Sequence, residues 1–323
     1  SASSTAPALV DPIGKRRWYF LISLLVILPG LVAMGYSTYR FGTPLRLSID
    51  FTTGSLLELR FAEVVQPEAV RAVFVERGLT DTTVQSAEDG RVALIRTKLL
   101  SAEDKAALTA ALKERFGSFE ELRYDSVGPA VGHEVTRAAI AATLVAGVAI
   151  LGFIAFAFRR VPKAFRYGAC AVIAMVHDIL VTTGLFSIMG LLAGWEADAL
   201  FLTALLTVVG FSVQDTIVVF DRIRENIPKR RGEPFELIVN RSLLETLHRS
   251  LATQLNAMFV LVAILLFGGA TMKQFVATLL AGMISGTYSS IFNAVPLLVV
   301  WETGEFGRAV RRVFGRRAVR ATS

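Results

Sequence analysis

The chain has 323 residues, of which 53% are hydrophobic and only 19% charged, with a mean hydropathy of +0.54. That balance excludes an ordinary soluble domain, for which about 25% charge is usual, and puts most of the chain in lipid. The net charge of +7 would suit nucleic acid, but the basic residues flank apolar stretches, where membrane topology and anionic lipid account for them, so no nucleic-acid partner is expected.

In chain order, residues 1–17 form a cytoplasmic segment ending in Lys15, Arg16 and Arg17. Residues 18–36 are a first span, too long for a signal-peptide core and followed by no small-x-small cleavage site, so a retained helix. The sequence starts at Ser1, which fits either removal of an initiator or a downstream piece of a longer polypeptide.

Residues 37–132 form a soluble insert. Residues 56–61 alternate as a strand; Pro67 then opens a helix that Gly78 stops; an extended piece follows near Val84, and residues 91–97 alternate again. Ser101 with Asp104 makes a capping-box start to a helix ending near Gly117, and residues 120–127 are extended. Strand, helix, strand, strand, helix, strand is the ferredoxin-like, split βαβ order. With 14 acidic against 12 basic residues and no catalytic or metal-spaced set, the insert reads as a binding or mechanical element.

Five further stretches reach the roughly 20 residues that a helix needs to cross a bilayer: 135–158, 165–188, 200–220, 250–268 and 275–300. A cytoplasmic loop, 221–249, separates the fourth span from the fifth, and residues 301–323 form a basic cytoplasmic tail with six arginines from Arg308 to Arg320. The fold class is therefore an α-helical membrane protein of six transmembrane helices, with a small α+β domain inserted between the first two. Arg159, Arg160, Lys163 and Arg166 crowd the turn between spans two and three, whereas Glu196 and Asp198 alone carry charge between spans three and four. The positive-inside rule then places both termini in the cytoplasm and the insert on the far side. Trp18, Trp195 and Trp301, the only tryptophans, all fall at span boundaries.

Residues 200–220 contain one ionisable side chain, Asp215. A charge left in hydrocarbon costs about 2.5–3.5 kcal/mol on insertion scales, so such residues face a protein interior or a water path. The functional reading is proton or ion movement; the alternative is helix bridging for packing. Gly210, Ser212, Gln214 and Thr216 add polarity and small size around it. Arg249 opens the fifth span, with Gln254 and Asn256 one to two turns further in. An ion pair between Arg249 and Asp215 is geometrically permitted, against the alternative of a flank arginine snorkelling to the interface. His177 and Asp178 interrupt the third span; being adjacent they diverge by about 100°, and they read either as a proton relay or as a hydrogen-bonded lock. Gly282 and Gly286 give the sixth span a GxxxG packing face. Cys170 is the only cysteine, and no Walker loop, nucleophile elbow or zinc spacing occurs, so neither enzyme, cofactor nor metal is expected.

The run GFSVQDTIVVFDRIREN at 210–226 resembles the fourth-helix motif of SecF, a subunit of the bacterial SecDF export factor. IDFTTG at 49–54, VGPAVGHEV at 127–135, VHDILVTTGLFS at 176–187, NRSLLETLHRSLATQ at 240–254 and GTYSSIFNAVPLL at 286–298 agree in order and spacing. The resemblance implies pairing with SecD, separate or fused upstream, in a twelve-helix assembly of the RND type. It implies use of the proton-motive force, with Na⁺ as the alternative ion, to help a preprotein through SecYEG in the inner membrane. It carries the proton pathway onto Asp215 and Arg249. Gln214 stands where the family usually has Asn, Thr53 where it has a second Gly, and Glu245 and Gln254 replace commoner small or uncharged choices. Two other classes remain: an RND-like transporter of a small solute or lipid, and a non-transporting membrane assembly subunit.

Overall fold

A computed structural model describes residues 13–87, 90–159, 163–268 and 270–304. Most of the expected segments 1–17 and 301–323, and Arg160, lie outside the described residues. Six helices are long and apolar enough to cross a membrane: Arg16–Phe41 (α1), Pro129–Phe158 (α5), Ala164–Ala193 (α6), Ala199–Lys229 (α7), Phe235–Phe267 (α8) and the continuous stretch Met272–Glu302. Between α1 and α5 come α2 (Ile49–Thr52), β1 (Gly54–Phe61), α3 (Pro67–Val75), β2 (Thr83–Ala87), β3 (Val92–Thr97), α4 (Ala102–Phe116) and β4 (Phe119–Val127).

Residues 221–249, expected as a loop, are instead almost wholly helical, with only a short turn between α7 and α8. Hydropathy falls at the first charged residues, but the helical apolar period does not: Ile223, Ile238, Val239 and Leu243 are all buried. The chain breaks only at Gly232, whose φ of +99° suits glycine, and at Pro234 before α8. The sixth span is likewise not one uniform helix. It comprises α9 (Ala270–Ser289), a π-helical turn (Ser290–Ala294) and α10 (Val295–Glu302).

The chain divides into two compact units. One, the sheet unit, is Leu45–Thr143 with Gly190–Leu202. Its four strands are antiparallel in the order β2-β3-β1-β4. Because strand side chains alternate, Leu57, Leu59 and Phe61 share one face with Ile95 and meet Val70, Val73 and Phe74 of α3 and Leu108 and Leu112 of α4. Ser101 and Asp104 form the reciprocal cap that starts α4. Thr53, just before β1, has φ +66° and ψ +156°, a region that glycine fills and a β-branched residue rarely enters.

The helical unit comprises Ser1–Pro44, Leu144–Met189 and Thr203–Ser323. Phe158, Tyr167 and Phe220 meet in its core, with Tyr167 and Phe220 edge to face at 5.4 Å. A Cβ on Gly30 of α1 would stand 2.6 Å from the Cα of Gly184 on α6, so these backbones touch only because both residues lack side chains. Gly282 leaves room for the Val208 side chain of α7, and Gly286 lies beside Ser212. Outward residues such as Val148 (71% exposed) and Phe259 (69%) are apolar and uncovered, as lipid-facing surfaces are.

Candidate functional site

The two intramembrane carboxylates occupy different settings. Asp178, on α6, is fully buried. Its Oδ2 accepts from the hydroxyls of Ser212 on α7 (2.5 Å) and Ser289 on α9 (2.6 Å), and its Oδ1 from Ser285 on α9 (2.7 Å). His177 Nδ1 lies 3.0 Å from the same Oδ1. A carboxylate oxygen accepts, so the three hydroxyls serve Asp178, and a His177 tautomer with its proton on Nδ1 gives it a fourth donor. The two adjacent residues still face different neighbours, His177 stacking on Tyr288 at 6.2 Å, yet their side chains bend back to bond each other. Divergence of Cβ directions did not prevent that contact, because both side chains extend beyond Cβ. Asp178 thus clasps three helices from one point. A buried charge so held is costly to break, on the order of 3–5 kcal/mol when a partner is lost.

Asp215 is half-buried on α7, one turn from Ser212. Its Oδ2 accepts from Nε2 of Gln254 on α8 at 2.5 Å. Gln254 is buried, and its own Oε1 has no partner among the described residues. Thr216 donates to the Ser212 carbonyl oxygen (3.0 Å) and shares a hydrogen bond with Ser290 in the π turn (3.0 Å). Helices α7 and α9 are therefore tied on both sides of Asp215. Beside Gln254 opens a cavity of about 370 Å³, lined also by Leu251, Leu255, Tyr288, Ile291 and Phe292.

Of the residues picked from sequence, Ser212, Thr216, Gln254, Asp178 and His177 enter these networks, and Gly282 and Gly286 pack against α7. Gly210, Gln214 and Asn256 lie on exposed faces outside them. Arg249 is exposed, and no ion pair joins it to Asp215 among the described residues. Gln254, more than one turn further along the same helix, holds the carboxylate instead; Arg249 lies well inside α8, on an exposed face. Glu245, one of the departures, accepts from Arg222 Nε (2.7 Å) and Asn226 Nδ2 (3.0 Å), joining α7 to α8. Ser285, Ser289 and Ser290 were missed as site residues. Their signal was a cluster of hydroxyls inside an apolar helix, easily taken for small packing residues.

Residues 107–304 match the family described as protein export membrane protein SecD/SecF, C-terminal. A protein translocase subunit SecF of Thermobaculum terrenum is 49% identical over 315 residues, covering 94% of this chain and 98% of that protein. The subunit of the same name from Anaerolinea thermophila is 47% identical, again across 94% and 98%. The crystal structure of SecDF, a translocon-associated membrane protein from Thermus thermophilus, is similar with a TM-score of 0.79 at 31% identity; 92% of this chain aligns, spanning 39% of that one. With six apolar helices and relatives matched along almost their full length, this is a multi-pass membrane protein, and the chain belongs to the SecF family of protein translocase subunits.

Proposed function

We propose that this chain pairs with SecD, as a separate chain or one fused upstream, and uses the proton-motive force to help a preprotein through SecYEG. Its termini lie in the cytoplasm and its sheet unit beyond the membrane, in the order of segments that the basic flanks dictate. Anionic lipid meets the basic flanks.

The observation that carries this reading is the pairing of Asp215 with Gln254. An amide has a donor end and an acceptor end. Gln254 gives its NH₂ to the ionised carboxylate, and its unpartnered Oε1 is the group that accepts from the protonated one. One side chain, turned over, satisfies both states of Asp215, which lowers the barrier between them without adding a second charge. Each proton descending 100 mV releases about 2.3 kcal/mol, enough to shift a two-state equilibrium by nearly two decades. Asp215→Asn is expected to abolish proton-dependent export from vesicles while leaving assembly with SecD intact. Undiminished export in that variant would overturn the reading. Na⁺ in place of H⁺ would appear as export that follows the sodium gradient.

The 370 Å³ cavity favours a second reading, a transporter of an apolar solute or lipid, since its size is that of a small-ligand pocket. Proton-coupled flux of an apolar solute without SecD would support it.

A further inference from the structure

The segment Gly190–Leu202, which joins α6 to α7, folds with the sheet. Leu47 and Ala197 pair as a parallel bridge; the Ala197 N–H donates to the Arg46 carbonyl (2.7 Å) and the Ser48 N–H to the Ala197 carbonyl (2.9 Å). Gln85 of β2 donates its amide to the Gly194 carbonyl at 3.3 Å. Register puts Arg96 opposite Leu56, on the face of the sheet turned away from α3 and α4.

Glu196 anchors this arrangement. Its side chain is 6% exposed and lies between two guanidinium groups, Nη2 of Arg46 at 3.5 Å and Nη1 of Arg96 in direct ion-pair contact. Burial, then the neighbouring charge of Arg46, holds the Arg96 guanidinium down to about 10, against the opposing charges of Asp50 and Asp198. The clasp continues into α7. Asp50 Oδ2 accepts from the Ala199 N–H (3.3 Å), and Asp198 Oδ1 caps the helix by accepting from Phe201 (2.7 Å). From Ala199 the helix runs unbroken past Asp215, about 24 Å along its axis at 1.5 Å per residue.

We propose that Glu196 is a positioning residue that fixes the first turn of α7 to the sheet, so that movement at Asp215 reaches the sheet unit along α7 and not only through its chain connections to α1 and α5. This rests on the reading of Asp215 as the titrating group. A clasp of this kind transmits by staying closed. It needs no change in its own contacts, only a helix stiff enough to carry displacement from one end to the other.

The test uses the full chain with SecD in vesicles, reading proton flux and proton-dependent export separately. Glu196→Gln is expected to keep proton flux within about twofold of the parent while export falls about tenfold. A second variant adds Leu47→Cys and Ala197→Cys to Glu196→Gln, with Cys170→Ala to remove the native thiol. Paired strands lie about 4.8 Å apart, inside the span of about 4.4–6.8 Å that a disulfide bridges. Oxidation should restore export, and reduction should abolish it again. Export unaffected by Glu196→Gln, flux and export falling together, or failure of the cross-link to restore export would each overturn the proposal. Asp215→Asn, run in parallel, separates the two claims: full export there defeats the proton reading itself, whatever Glu196 does.

Discussion

Gln254 reaches across from α8 to donate its amide to Asp215 at 2.5 Å, while its carbonyl oxygen stays buried and unmatched among the described residues. Gln254→Leu removes both ends of the amide at nearly constant volume. A hydrogen bond to a charged group is worth about 1.5–3 kcal/mol, so proton-dependent export should fall about tenfold or more, with the chain still accumulating in the membrane. Initial rates in vesicles at fixed proton-motive force check this.

Asp178 should behave as a structural group. Asp178→Ala strands three serine hydroxyls and the His177 ring, each at about 1–3 kcal/mol, and should destabilise the chain by about 3 kcal/mol or more. Asp178→Asn should cost less, since its amide oxygen still accepts. The serines share one acceptor, so Ser212→Ala, Ser285→Ala and Ser289→Ala should not add. Thermal unfolding in detergent measures all of these. A relay would show the opposite pattern, export lost with stability kept.

Thr53→Gly should stabilise the chain. The φ of +66° with ψ of +156° costs a β-branched residue about 1–3 kcal/mol that glycine does not incur. Greater entropy of glycine in the unfolded chain takes back part of that gain. A rise in the unfolding midpoint is the expected readout.

Acid should strengthen the start of α7. Burial, as the main cause, raises the Asp198 carboxyl above the ordinary range, against the opposing Phe201 N–H and with the charge of Asp50 adding to it. A carboxyl raised on folding binds its proton more tightly in the folded state. Its contribution is complete below the unfolded value near 3.9 and is lost as pH rises through the raised one. Amide exchange in the first turn of α7 should therefore slow as pH falls from about 7 to about 4, after correction for intrinsic rates. Asp198→Asn, which keeps the cap, should flatten that dependence.

Much of this is legible in the sequence. The insert's strands and helices were marked by alternation at 56–61 and 91–97, by Pro67 and by the Ser101/Asp104 cap, all local signals that tertiary contacts had no reason to override. Asp215 and Gln254 were visible as polar residues in apolar runs. Arg249 was not legible as exposed, because a helix is read from sequence without its rotation: five residues separate Arg249 from Gln254, more than one full turn, and only packing decides which faces α7. The serines around Asp178 were hidden for a different reason. Ser285 and Ser289 look like spacers until the acceptor between them is located. Glu196 could be seen as charge between two spans, but its partner Arg96 is 100 residues earlier, and no periodicity links them.

The π-helical turn at Ser290–Ala294 holds one residue more than an α-helical turn, so everything after it is rotated by about 100° from a straight continuation. Ser289, the last residue of α9, serves Asp178 on α6, and Ser290, the first of the turn, bonds Thr216 on α7; beyond the turn Val295, Leu298 and Val299 come round to the interior. The final span is consequently keyed like a lock cylinder. Removing a single amino acid from the widened coil would turn its C-terminal end outward, so grafts exchanged between relatives should be cut outside it.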